Sequence, residues 1–130
     1  MAFINNKGGA VTLEAIPTVG IYIPGPNVIK DEAGDPVDIT GAEIKIHLAD
    51  NAGAMTGYAA SGYQGTCPGV TSFSCTITDA ANGEFSIAVP PSHFTRKWGG
   101  QMTHSLTIQY AGSSSPEGLM YGAVNVQEAF

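Results

Sequence analysis

Glu43-Ile44-Lys45-Ile46-His47-Leu48 alternates polar and apolar residues over six positions, and nothing else in the 130-residue chain restricts its fold as strongly. Side chains on an extended strand point to opposite faces in turn, so a period of two predicts a strand with one buried face. Ile44, Ile46 and Leu48 are expected inside and His47 outside. The same period recurs at Phe85, Ile87 and Val89, at Leu106, Ile108 and Tyr110, and at Gly122, Val124 and Val126. Ala10 to Ile16, Val19 to Ile23 and the Thr-, Ser- and Phe-bearing stretch Val70 to Ile77 bring the expected count to about seven strands.

The stretches between these runs are built from residues that supply tight-turn dihedrals or interrupt a ladder. They include Pro24-Gly25-Pro26, Ala33-Gly34-Asp35-Pro36, Ala80-Ala81-Asn82-Gly83, Trp98-Gly99-Gly100 and Gly112 to Pro116. Asn82-Gly83 tolerates positive φ at both positions and predicts a hairpin pairing Phe73 to Thr78 with Glu84 to Val89. No window carries helical apolar spacing; the best candidate is one turn over Ser92 to Trp98, capped by Ser92 and carrying Phe94 and Trp98. A parallel sheet would require crossover helices, so the pattern favours an antiparallel sandwich or small barrel; the expectation is all-β, an immunoglobulin-like antiparallel β-sandwich with at most one short helical turn. Residues 10–126 would form the sandwich, between an N-terminal arm, 1–9, and a C-terminal tail, 127–130. Asp50 to Pro68, with four glycines and Tyr58 and Tyr63, reads as a long loop, either partner-contacting or mobile.

Charged residues make up only 12% of the chain, and the formal charge is -6 with a pI near 4.7. That balance argues against binding to nucleic acid or to anionic lipid. No apolar run approaches the ~20 residues of a membrane span, and the first ten residues lack the apolar core of a secretory signal. Synthesis in the cytoplasm without a signal peptide is the expectation.

Little in the sequence points to chemistry. Cys67 and Cys75 flank a turn at Pro68-Gly69, which admits a disulfide, although a reducing compartment would keep two buried thiols instead. His47, His93 and His104 are scattered and no CxxC is present, so neither a zinc site nor any other cofactor site is expected. His47 and His104 both fall on outward strand positions as half-exposed residues. No nucleophile, base and oxyanion device come together, and no GxSxG, P-loop or dinucleotide fingerprint is present. A hydrolase using His93 or His104 is the least favoured reading. The acidic group Asp31, Glu32, Asp35 and Asp38 departs from calcium-loop spacing and reads as a solvated turn, with Asp38 accepting from nearby amides.

From Asp31 to Val126 the chain resembles a pattern found in small virion proteins of tailed bacteriophages, in particular upper-baseplate and fibre-attachment immunoglobulin-like domains. The matching segments are Asp31-Glu32-Ala33-Gly34-Asp35-Pro36-Val37-Asp38-Ile39-Thr40-Gly41-Ala42, then Asn82-Gly83-Glu84-Phe85-Ser86-Ile87, and the closing Gly118 to Val126. The cysteine-bearing stretch Asp50 to Cys75 departs from that pattern. The resemblance implies a non-enzymatic virion structural protein. Small size then favours a capsid decoration or cement protein that binds neighbouring capsid subunits as a homo-oligomer, with a baseplate, neck or fibre-attachment component of the tail as the alternative.

A chain with few charges can lie on another protein surface at little desolvation cost. Phe3 and Ile4 in the arm, Phe130 in the tail, and Tyr58 and Tyr63 are the candidate docking residues. A carbohydrate-binding module, with Trp98, Tyr58, Tyr63 and Tyr110 as stacking platforms, is the weaker alternative.

Overall fold

The structure is a computed structural model, and it describes residues 3–5, 11–63, 65–95 and 98–128. The strands are β1 (Phe3–Asn5), β2 (Leu13–Ala15), β3 (Ile21–Lys30), β4 (Glu43–Ala49), β5 (Val70–Ser74), β6 (Thr76–Asp79), β7 (Glu84–Val89), β8 (Gln101–Gln109) and β9 (Glu117–Val126), with one helix, α1 (Ala52–Ala60). They form a four-stranded sheet in the order β1-β3-β7-β6 and a five-stranded sheet in the order β2-β9-β8-β4-β5. The described residues therefore hold nine strands, where the turn spacing predicted about seven. Most pairs are antiparallel, but β1 runs parallel to β3 and β2 runs parallel to β9.

The core lies between the two sheets and is built by the alternation itself. Ile44, Ile46 and Leu48 of β4 are buried against Phe85, Ile87 and Val89 of β7 and Leu106 and Ile108 of β8. The acidic segment before β4 has a packing role. Ile39 is fully buried and donates its N–H to the Ala80 carbonyl at 2.9 Å. Asp31 Oδ1 accepts from the N–H groups of Ala33 and Asp35, and Asp38 Oδ1 accepts from the Thr40 N–H and hydroxyl. These carboxylates shape a turn, as expected, and those two Thr40 bonds hold the Asp38 carboxyl below its ordinary range.

Four expectations are corrected. Pro24-Gly25-Pro26 does not separate strands. It lies inside β3 at a register break between Ile23 and Asn27, where proline is tolerated, and buried Asn27 donates Nδ2 to the Phe85 carbonyl at 3.0 Å across it. The run Val70 to Ile77 is two strands in different sheets. Cys75 donates its N–H to Ile44 and Phe73 pairs with Ile46, whereas Thr76 pairs with Ser86, so only the β6 portion forms the predicted hairpin. That hairpin turns through a 3-10 turn at Ala80–Asn82 closed by Gly83 at φ 69°. A Cβ at Gly83 would stand 2.7 Å from the Val37 carbonyl oxygen, so both the dihedral and the space require glycine. Finally, Asp50 to Pro68 contains the nine-residue α1, so the limit of one helical turn fails. The helical turn expected at Ser92 to Trp98 is a short 3-10 segment, Pro91–Phe94.

Candidate functional site

α1 starts at Asn51, whose Oδ1 accepts from the Ala54 N–H at 2.8 Å and so satisfies one otherwise orphaned donor. Its sequence is small and glycine-containing, with Tyr58 as its buried residue, so docking rather than intrinsic propensity holds it. It lies across the outer face of the five-stranded sheet, against β4, β5 and β8. The strand beneath supplies His47, outward by the period of two and yet only 2% exposed because α1 and the segment after it cover that face. His104, also predicted half-exposed, is 1% exposed, with Nε2 donating to the Val11 carbonyl at 2.7 Å. Both placements correct the expectation, for different reasons: His47 is covered by a second layer of chain outside the sheet, whereas His104 pairs with Leu48 and shares the inward face of Leu106 and Ile108.

His47 is the centre of this layer. Its Nδ1 lies 2.6 Å from Ser72 Oγ and its Nε2 lies 2.9 Å from Thr107 Oγ1. The Tyr63 ring stacks on it at 5.2 Å and the Tyr58 ring meets it edge-on at 5.1 Å. Tyr58 donates its hydroxyl to the Tyr63 carbonyl, and Ser105 Oγ donates to the Tyr63 hydroxyl, both at 3.1 Å. These contacts hold Tyr63 at φ 60°, a left-handed conformation that is strained for an aromatic residue. Burial, with Lys45 as the second cause, pushes His47 down to about 4, so the ring is neutral at pH 7. His104 and His93 are pushed down by burial too.

Tyr63 also stands between two concavities. On one side is an apolar cleft of about 440 Å³, lined by Met55, Ala59, Met120 and Tyr121 among others. It adjoins, through Met55, Thr56 and Tyr121, a smaller hollow of about 210 Å³ that reaches His104 and Gly122. On the other side is a polar hollow of about 300 Å³ that includes Glu43, Lys45, Thr107 and Gln109, with Lys45 Nζ 2.8 Å from Glu43 Oε1. The His47 to Ser72 distance is that of a base and a nucleophile, but the imidazole's other partner is the Thr107 hydroxyl instead of a carboxylate. A ring held neutral to about pH 4 is also a weak proton acceptor. The arrangement is suited to fixing α1 on the sheet and shaping a contact surface around it.

The predicted site residues separate accordingly. Tyr58 and Tyr63 come together, with ring centroids 5.7 Å apart at 89°. Trp98 and Tyr110 pack against the core, and Trp98 lies 5.7 Å from Phe94, so the four aromatics form no common platform. Phe3 and Ile4 lie in β1, their side chains outside the described residues, and Phe130 also lies outside them. Cys67 and Cys75 are free thiols. Cys75 packs against the core, where burial pushes its thiol up to about 12, and the Cys67 thiol points at the Ala54 carbonyl, 3.9 Å away. No group of three or more metal-ligating side chains is present among the described residues. The alternation gave no sign of Met55 or Met120 as lining residues, because the cleft exists only where α1 docks. Tyr121, 58% exposed on β9, was the one detectable signal, an aromatic at a solvent-facing strand position.

No family model matches the chain, and no curated protein matches it. Among solved structures it is similar to the N-terminal domain of ORF48 of phage TP901-1, with a TM-score of 0.53 and 14% identity, covering 98% of both chains. At that identity the likeness shows a shared fold.

Proposed function

We propose that the protein is a non-enzymatic structural component of a bacteriophage virion, acting through protein contacts and belonging to the tail. The observation that carries this is the end-to-end likeness to a domain of a phage protein. The acidic turn supports it, since the Asp31 to Ala42 segment that resembles phage baseplate and fibre-attachment domains packs as one unit against β3 and the β6–β7 turn. The tail ranks ahead of capsid decoration because that segment resembles baseplate and fibre-attachment domains, whereas small size alone favours the capsid. The negative charge supports a protein neighbour over nucleic acid, and no described helix is long and apolar enough to cross a membrane.

We also read the sandwich as immunoglobulin-like. The order β3-β7-β6 corresponds to B-E-D of that architecture, and β9-β8-β4 to G-F-C, with β5 as the added edge strand; β1 takes the edge position of strand A but runs parallel to β3. Quantitative mass spectrometry of purified particles, normalised to the major capsid protein, tests the virion reading. A few to a few dozen copies per particle is the expected result. A ratio near one to one would move the protein to the capsid surface, and absence from the particle would overturn the proposal.

A further inference from the structure

The five-stranded sheet ends on β5, and this edge is guarded less than the others. An end strand offers a row of unpaired N–H and C=O groups, which natural sheets blunt by shortness, bulges or charge. β1 and β2 have three residues each. β6 is broken in register between Ile77 and Asp79 and carries that aspartate. β5 has none of these features. It pairs with β4 over five consecutive residues without a break, and no charged residue or proline occurs from Gly69 to Thr78.

The open side of β5 can be read from its neighbours. Cys75 donates its N–H to Ile44 at 2.8 Å, and Asp50 donates its N–H to Gly69 at 2.9 Å. Main-chain groups alternate in direction along an antiparallel strand, so those of Thr71 and Phe73 turn to β4 while those of Val70, Ser72 and Ser74 turn to the open side. The Val70 N–H is taken by the Cys67 carbonyl at 3.2 Å.

We propose that this edge pairs with a second copy of the chain, β5 against β5 in antiparallel order, with the twofold axis at Ser72. In that register each Ser72 N–H meets the Ser72 carbonyl of the other copy, and each Ser74 N–H meets a Val70 carbonyl. The occupied Val70 N–H then needs no further partner. Thr71 of one copy lies beside Phe73 of the other, a β-branched and aromatic pair of the kind that stabilises cross-strand contacts. Charge selects the same edge, because two chains of net charge -6 approach with least repulsion where neither carries charge. A twofold contact uses up both β5 edges and closes on itself, so it yields a dimer instead of a filament. The inference stands independently of the virion reading.

Sedimentation of the full chain over a concentration series tests it, comparing wild type with Ser74→Pro and Ser74→Ala. The proline removes an outward N–H that β4 does not use, and the alanine keeps it. Wild type and Ser74→Ala are expected to form a reversible dimer, and Ser74→Pro to dimerise about tenfold more weakly or worse, because symmetry removes two bonds at once. A wild type that stays a single chain at sub-millimolar concentration would overturn the proposal. So would a Ser74→Pro dimer as tight as wild type, or an equal loss in Ser74→Ala. If Ser74→Pro does not fold, hydrogen exchange of the wild type decides: Ser72 and Ser74 amides that gain protection with concentration support the pairing, and fast exchange at every concentration overturns it.

Discussion

At the scale of single residues, His47 shows how far a periodic pattern can be read. The alternation gave its direction correctly, outward from the sandwich core, and gave its environment wrongly, because strand periodicity carries no information about what lies outside the sheet. The energetic consequence follows from its titration. The folded chain takes up a proton at His47 only near pH 4, and the unfolded chain does so near 6.5. Between those values the unfolded state binds more protons, so lowering the pH favours it. The stability associated with neutral His47 is complete above about 6.5 and is lost progressively toward about 4. His104 and His93, also pushed down by burial, act with the same sign. The melting temperature should fall by about 5 °C or more across this window. His47→Gln should melt lower at neutral pH, because Ser72 and Thr107 lose a well-placed partner, and should show a shallower fall on acidification. An unchanged slope in that variant, measured by thermal melts at several pH values, would remove His47 as its cause.

Among the elements, α1 is the least legible in the sequence and the most dependent on its surroundings. Ala52-Gly53-Ala54-Met55-Thr56-Gly57-Tyr58-Ala59-Ala60 has no apolar stripe, and an isolated nine-residue helix is marginal in water. Its stability comes from the local Asn51 cap and from Tyr58 seated on His47, and the second of these is a contact with another element that no local pattern displays. Tyr58→Ala should therefore undock the helix while the sandwich persists, with a local cost of about 3 kcal/mol or less, below that of a fully enclosed aromatic. Limited proteolysis read by mass spectrometry checks this: cleavage should become fast within 52–63 in the variant, and equal rates in both proteins would contradict it. The passage from β5 to β6 was hidden for a related reason. Val70 to Ile77 reads as one β-forming run, and nothing local marks Cys75 as the residue at which the chain leaves one sheet for the other. By contrast Gly83 was readable, because a left-handed turn there demands a residue type that the sequence displays.

For the molecule as a whole, the sandwich was legible because its core is the sum of the alternating strands. Ile44, Ile46, Leu48, Phe85, Ile87, Val89, Leu106 and Ile108 were all expected inside and all are buried. The strand count and the parallel edges were not legible, since three-residue strands such as β2 are too short to show a period. Phe85 is fully buried at the centre of the four-stranded sheet, between β3 and β6. Phe85→Ala should lower global stability by about 3–5 kcal/mol in urea titrations, with both sheets lost in one transition. Two probes melting apart would show that the sheets do not share one core. The parallel pairing of β2 with β9 has a mechanical consequence. Leu13 to Ala15 run alongside Val124 to Val126 in the same direction, near opposite ends of the sequence. Tension applied through both ends drags these two strands in opposite senses along one axis, so the bonds between them lie across the load and share it. An antiparallel hairpin pulled at its open end parts one bond at a time. Here the chain must break the whole patch together before it can lengthen.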